Sequence, residues 1–232
     1  MEKINLENSG IDISSIVYDN NPEVFIEIEG VRVHSIGESI QDRISFQNKW
    51  GIKKDELTYK EYCFIKLYSQ DGYSIVNEFF RNLPKVKDSE LESFYKEFQK
   101  KWSILSEYLD DYISFDDFLE VGKSIFDKGR VLDEDLLVFR RQSEPLSNYS
   151  INDVYHSDSF LSTSISKNVK PEEYGEYLEY ILIPKGTKIL YIEAVTGTKF
   201  EYEILFDKGS NLKKIGQKMI KLHVGNYYEN YK

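Results

Sequence analysis

Two glutamates separated by one residue, Glu201 and Glu203, stand inside the run Phe200-Glu201-Tyr202-Glu203-Ile204-Leu205-Phe206. The run predicts a strand. Its two-residue period puts both carboxylates on one face and Tyr202, Ile204 and Phe206 on the other. On a wet surface such a pair repels by up to about 1 kcal/mol and is tolerated. In a cleft it supplies two roles: one carboxylate opposes a developing positive charge while the other handles a proton. A second run, Phe160-Leu161-Ser162-Thr163-Ser164, reads as a strand with Ser162 and Ser164 on one face and Thr163 on the other. A hydroxyl there can orient a neighbouring carboxylate. A third, Leu137-Val138-Phe139-Arg140-Arg141, is an apolar strand ending in paired arginines. A guanidinium at a strand end can grip a pyrophosphate through paired N–H donors. Each run also has an ordinary structural reading: a solvated strand face, a polar strand, a surface arginine after a core strand.

Their order carries more than their parts. Arg140 comes first, Ser162 follows 22 positions on, and Glu203 lies 41 positions beyond that. In this arrangement the chain resembles the arginine–serine–glutamate class of mono-ADP-ribosyltransferases. It is similar to the catalytic domains of clostridial and bacillary binary toxins and of Rho-modifying exoenzymes. The resemblance runs from about Leu57 to Ile220. It takes in Gly72-Tyr73-Ser74-Ile75-Val76-Asn77-Glu78-Phe79-Phe80-Arg81, the turn Ile183-Pro184-Lys185-Gly186, and Gly209-Ser210 after the second glutamate.

The resemblance implies NAD as substrate, no metal, and roles by position. Arg140 would contact the NAD phosphates, with Arg141 or Arg81 assisting and Tyr73 and Asn77 on the same helix. Ser162 would hold Glu203, and Thr163 and Ser164 would support the nicotinamide side. Glu203 would bind the ribose 2′-hydroxyl and stabilise the cation left when nicotinamide departs. Glu201 would position or deprotonate the acceptor. Residues 194–200 would recognise it, with Thr198 and Phe200 foremost. Within the class Glu-x-Glu goes with arginine acceptors, so an arginine on a protein is favoured. Other readings are a nucleic-acid acceptor in a toxin–antitoxin or phage-defence system, an NAD glycohydrolase, and a silent docking domain of the same fold. An antitoxin or a delivery component would be a further partner. The chain departs from the class twice. Tyr177-Leu178-Glu179-Tyr180-Ile181 lacks an arginine that many toxins carry, and Thr198 stands where actin-modifying toxins tend to place a tyrosine.

The elements that must position these residues are helical first and extended second. Val24–Glu29 and Val31–His34 alternate about Gly30 and predict a hairpin. Thr58 with Glu61 is a capping-box pattern opening a helix, broken at Asp71-Gly72. A short helix follows with Tyr73, Val76, Phe79, Phe80 and Leu83 buried and Pro84 beyond its end. From Ser89 the apolar residues Leu91, Phe94, Tyr95, Phe98, Trp102, Leu105, Leu109 and Tyr112 recur at helical steps. Phe118 to Ile125 predicts another helix, ended by Gly129. Strands are expected at 136–140, 160–164, 178–183, 188–192, 201–206 and 219–224. Helices then strands predict an α+β fold. The resemblance specifies it as N-terminal helices packed on two roughly perpendicular, mixed or antiparallel sheets. Residues 1–50 read as an N-terminal extension and 51–232 as the catalytic domain.

Composition excludes several classes. With 18 Tyr and 14 Phe among 232 residues the chain can bury a core. A net charge of −10 argues against binding nucleic acid chiefly by phosphate neutralisation. The lone Cys63 excludes an intrachain disulfide and reads as a buried apolar residue. His34, His156 and His223 are scattered, which argues against a zinc site. No leader or membrane span is recognisable, so a cytoplasmic location in the producing cell is expected, or secretion if a leader has been removed.

Overall fold

The computed structural model of the protein describes residues 3–4, 23–28, 31–36, 40–106, 113–143, 150, 153–166, 174–196, 202–214 and 219–223. The short β1 (Lys3–Ile4) is followed by the expected hairpin, β2 (Glu23–Ile28) and β3 (Val31–Ile36). Helix α1 (Ile40–Trp50) comes next. Then come α2 (Tyr59–Leu67), α3 (Tyr73–Asn82), α4 (Leu91–Ser106) and α5 (Phe115–Ser124). Local chemistry sets several of these boundaries. Thr58 and Glu61 satisfy each other's backbone N–H groups at the start of α2. Ser114 caps α5 by accepting from the Asp117 N–H. Pro84 follows α3, and a 3₁₀ turn from Ile125 to Lys128 leads from α5 to Gly129.

The second half is β4 (Arg130–Val131), β5 (Asp135–Gln142), β6 (Val154–Ser157), β7 (Leu161–Ser164), β8 (Tyr177–Ile183), β9 (Lys188–Tyr191), β10 (Glu203–Phe206), β11 (Ser210–Lys214) and β12 (Met219–His223). They form two sheets that meet on one edge of β5. Along its first half that edge pairs with β3, in parallel, at Asp135–Leu137. Further on it pairs with β7 through Phe139 and Ser164. The hydrogen-bonded ladder is continuous, β4-β9-β10-β7-β5-β8-β12-β11-β6 with β1-β2-β3 joining at β5, and this branch divides it into one sheet, β1-β2-β3-β5-β8-β12-β11-β6, and another, β7-β10-β9-β4. The β8–β12 and β3–β5 contacts are parallel and most others antiparallel, so the sheets are mixed.

Two apolar clusters hold this together. The first packs α2 to α5 on β7, β10 and β9. It contains Phe64, Phe118 and Trp102 with Phe160, Leu190 and Leu205. Phe118 lies 4.2 Å from Phe64 and 4.4 Å from Trp102, centroid to centroid. Trp102 Nε1 donates to the Ile113 carbonyl at 2.8 Å, so the buried indole is satisfied. Gly122 sits where an added Cβ would meet Phe64 at 3.1 Å, which explains its lack of a side chain. Cys63 is buried here as expected. The second cluster contains Val138, Ile181, Ile189, Ile204 and Phe206 together with Phe46 and Trp50 of α1. Alternate residues of β10 therefore point to different cores, Leu205 to the helices and Ile204 and Phe206 between the sheets.

Several expectations are corrected. The break expected at Asp71-Gly72 falls at Gln70 instead, whose non-helical backbone (φ −93°, ψ −124°) is a kink between two helices. Tyr73 is 47% exposed, on the side of α3 that carries Asn77 and Arg81, while Val76 and Phe79 are buried. Leu91, at the exposed start of α4, is also outside the core. Leu109 and Tyr112 lie outside the described residues. Strand β10 starts at Glu203, because Tyr202 has φ 50° and cannot continue a strand. The sequence pattern does not show the strands β1, β4, β6 and β11 or the helix α1: β1 and β4 are two residues long, and β6 and β11 are polar.

Phe118→Ala is expected to destabilise the fold by about 3–5 kcal/mol, because it empties the centre of the helical cluster. Urea unfolding followed by far-ultraviolet circular dichroism measures this; a loss under about 1 kcal/mol would mean that the cluster repacks.

Candidate active site

Strands β7 and β10 pair antiparallel with Glu203 opposite Ser164 and Leu205 opposite Ser162. Ser162 and Glu203 are thus diagonal neighbours on one face, within side-chain reach. The Ser162 Oγ donates to Glu203 Oε1 at 2.5 Å. This is the length of a strong hydroxyl–carboxylate bond, and Glu203 is only 9% exposed. Thr163 faces the other way and donates to the Ile204 carbonyl at 3.1 Å. Ser164 is buried, and its Oγ accepts the Ser166 N–H at 3.0 Å.

Strand β5 brings the arginines. Leu136 and Val138 enter the intersheet core, and the same alternation brings Arg140 out at its edge. Its guanidinium donates to the Ser162 carbonyl. Burial lowers the Arg140 pKa, the charge of nearby Arg81 acting in the same direction and the neighbouring Tyr68, Tyr155 and Glu203 opposing it. Arginine remains charged regardless. Arg141 donates to the Glu176 carbonyl at 3.3 Å, and its buried Nε has no hydrogen-bond partner among the described residues.

Helix α3 forms the facing wall. Tyr73, Asn77 and Arg81 recur every four residues and share one side of it. Asn77 Nδ2 donates to the Tyr68 hydroxyl at 3.1 Å, and Arg81 Nε donates to the Asn77 carbonyl at 3.1 Å. The Tyr68 phenol is pushed well up, by burial first and by the charge of Glu203 second. Between these walls lies a cleft of about 640 Å³. Arg140, Arg141, Ser162, Thr163, Ser164, Glu203, Tyr73, Asn77 and Arg81 all line it. So do residues not singled out by sequence: Tyr68, Tyr155, Ser159 and Tyr174. Tyr68 reads as a core position in a helical pattern, and Tyr155 lies on the polar strand β6, so neither carried a signal.

Glu201, Phe200 and Thr198 lie outside the described residues. The chain that enters β10 starts at a helical turn, Glu193–Thr196. Tyr191 donates its hydroxyl to the Glu193 carboxylate, and burial holds Glu193 above its ordinary value. Among the described residues no three His, Cys, Asp or Glu side chains converge on a metal position, and no helix is long and apolar enough to cross a membrane.

A buried serine–glutamate pair, with a guanidinium beside it and a cleft of nucleotide size, on helices followed by two joined sheets, defines an ADP-ribosyltransferase toxin fold. The family model for the ADP-ribosyltransferase exoenzyme matches residues 47–226. The chain belongs to that family, whose enzymes use NAD to transfer ADP-ribose. Among solved structures it is similar to an ADP-ribosyltransferase from Clostridium botulinum. That match has 14% identity and a TM-score of 0.53, and covers 80% of this chain and 96% of that one. The Clostridium limosum C3 exoenzyme matches at 15% identity and TM-score 0.52, covering 79% and 92%. The ADP-ribosylating toxin of a C. perfringens binary enterotoxin, solved with NADH, matches at 17% identity and TM-score 0.53. That match covers 87% of this chain but only 54% of the toxin. At these identities the structures speak for the fold alone. No curated protein sequence matches the chain.

The raised pKa of Glu193 has a consequence for stability. An acid whose pKa is higher folded than unfolded costs stability as pH rises through its ordinary value of 4.5, and costs nothing well below it. Glu193→Gln is therefore expected to be more stable than wild type near pH 8 and to lose that advantage at about pH 3.5. Urea midpoints of both proteins at the two pH values test this; an advantage that persists in acid would contradict it.

Proposed function

We propose that this enzyme cleaves NAD between nicotinamide and ribose and transfers ADP-ribose to a macromolecular acceptor, an arginine guanidinium on a protein being favoured. The observation that carries the reading is the buried Ser162–Glu203 hydrogen bond beside Arg140 in the cleft. The Nε of Arg141, unpartnered among the described residues, and the proximity of Arg81 to Arg140 support a dianionic ligand at that end. Paired guanidinium donors suit the two phosphates of a dinucleotide.

In this reading the carbon–nitrogen bond to nicotinamide breaks and nicotinamide leaves, neutral, with the bonding pair. Positive charge then develops on the anomeric carbon, as in glycoside hydrolysis. The Glu203 carboxylate faces that carbon, and Ser162 holds it so that no reorganisation is needed as the charge appears. The acceptor nitrogen then bonds to the anomeric carbon and gives up a proton, for which Glu201 is the base. Tyr68, neutral and hydrogen-bonded to Asn77, closes the floor beside Glu203 and keeps water from the carboxylate.

Glu203→Gln is expected to lower nicotinamide release from NAD by about 10²-fold or more, and Ser162→Ala by a smaller factor through loss of orientation. Glu201→Gln is expected to spare release and abolish labelling of lysate macromolecules by ³²P-NAD. Label that survives protease and disappears with RNase would move the acceptor to RNA. Release without labelled macromolecule would make the enzyme a glycohydrolase, and release unchanged in Glu203→Gln would refute the assignment.

A further inference from the structure

The residue just before Glu203 sits in an uncommon backbone state. Tyr202 is the only described non-glycine residue with positive φ, at 50°. Tyrosine avoids this region, and such a state persists only where the surroundings over-determine it. Here the surroundings are specific. The Arg43 guanidinium of α1 lies over the Tyr202 ring, 3.7 Å from its centroid. The ring itself is buried, 6% exposed. The Tyr202 carbonyl accepts from the Ile165 N–H at 3.2 Å, and the Glu203 carbonyl accepts from the Ile192 N–H at 3.1 Å. The ring is buried and the guanidinium half-buried, and a cation–ring contact strengthens as its groups lose water.

Helix α1 also holds the other side of the same segment. Phe46, three residues on from Arg43 and so on the same face, meets Tyr191 edge-on at 4.9 Å. Tyr191 donates to Glu193, and Arg43's charge reaches both of them. The Ile52 N–H, just past the end of α1, bonds the Tyr191 carbonyl at 3.2 Å. Both ends of the stretch 192–202 therefore rest on one helix, and that helix lies in the part of the chain before residue 51.

We propose that Arg43 is a positioning residue for the transfer reaction: by stacking on Tyr202 it maintains the left-handed turn that aims Glu203 at Ser162. The inference rests on the functional reading above for its consequence on rate, but not for its consequence on structure. Arg43 lines neither the cleft nor the Ser162–Glu203 pair; its charge also reaches Tyr191 and Glu193, but its contact with the turn before Glu203 is the one with the Tyr202 ring. The bond it protects is the one between Ser162 and Glu203. NAD binding uses the arginines of β5 and α3 and does not depend on it. Loss of Arg43 is thus a defect in kcat with KM for NAD preserved.

The test uses the full chain with Arg43→Ala, Arg43→Lys, Tyr202→Leu and the double variant Arg43→Ala/Tyr202→Leu. Hydrogen exchange of individual amides is read by NMR, and nicotinamide release gives kcat and KM. In Arg43→Ala the Ile165 and Ile192 amides are expected to exchange about tenfold faster, amides of α4 and α5 being unchanged. The kcat is expected to fall by about tenfold with KM for NAD within about twofold, and Arg43→Lys to recover most of it. In the Tyr202→Leu background, removal of Arg43 is expected to add nothing further. Unchanged exchange at Ile165 and Ile192, or a loss of protection spread equally over α4 and α5, would overturn the proposal. So would additive effects of the two substitutions. A wild type that releases no nicotinamide would refute the functional reading instead, and the exchange data would then decide the role of Arg43 by themselves.

Discussion

The hydrogen bond from Ser162 to Glu203 exists only because β7 and β10 pair in one register. Shifting β10 by one residue would turn Glu203 toward the intersheet core and bring an isoleucine to the cleft. The register is held by apolar residues on both sides: Leu205 in the helical core, Ile204 and Phe206 between the sheets. Burying a carboxylate is costly unless it is hydrogen-bonded, and the Ser162 hydroxyl supplies such a bond. Packing therefore fixes the position of the Glu203 carboxylate in the wall of the cleft.

The same constraint explains the arginines. Arg140 is half-buried and its guanidinium is bonded to the Ser162 backbone, so the strand that carries the serine also anchors this cation. Serine, glutamate and arginine form one unit tied across three strands. Helix α3 closes it from the other side with side chains spaced at four residues, and this side holds Tyr68 through Asn77. The cleft is thus a seam between a rigid sheet and a helix.

Some of this could be read from residues alone. The caps at Thr58 and the hairpin at Gly30 are local, involving neighbours in sequence, and they appear where the pattern puts them. The order arginine, Ser-Thr-Ser, Glu-x-Glu led to the family and to the residues that line the cleft. What could not be read depends on contacts distant in sequence. The start of β10 is set by the turn at Tyr202, and that turn is held by a helix some 160 residues earlier in the chain. The exposure of Tyr73 follows from its place on the cleft side of α3, which a helical period cannot tell from the core side. Strands β6 and β11 carry too few apolar residues for a period to register, although Tyr155 of β6 borders the cleft. The N-terminal segment, which bears no motif, adds β3 to the edge of β5 and seats α1 on β9.

The most direct measurement is a crystal structure of Glu203→Gln soaked with NAD. The account predicts the diphosphate against the Arg140 guanidinium and the nicotinamide-bearing ribose with its anomeric carbon within about 3.5 Å of the side chain at 203. NAD bound elsewhere on the surface, or lying in the cleft with that ribose turned away from residue 203, would contradict it.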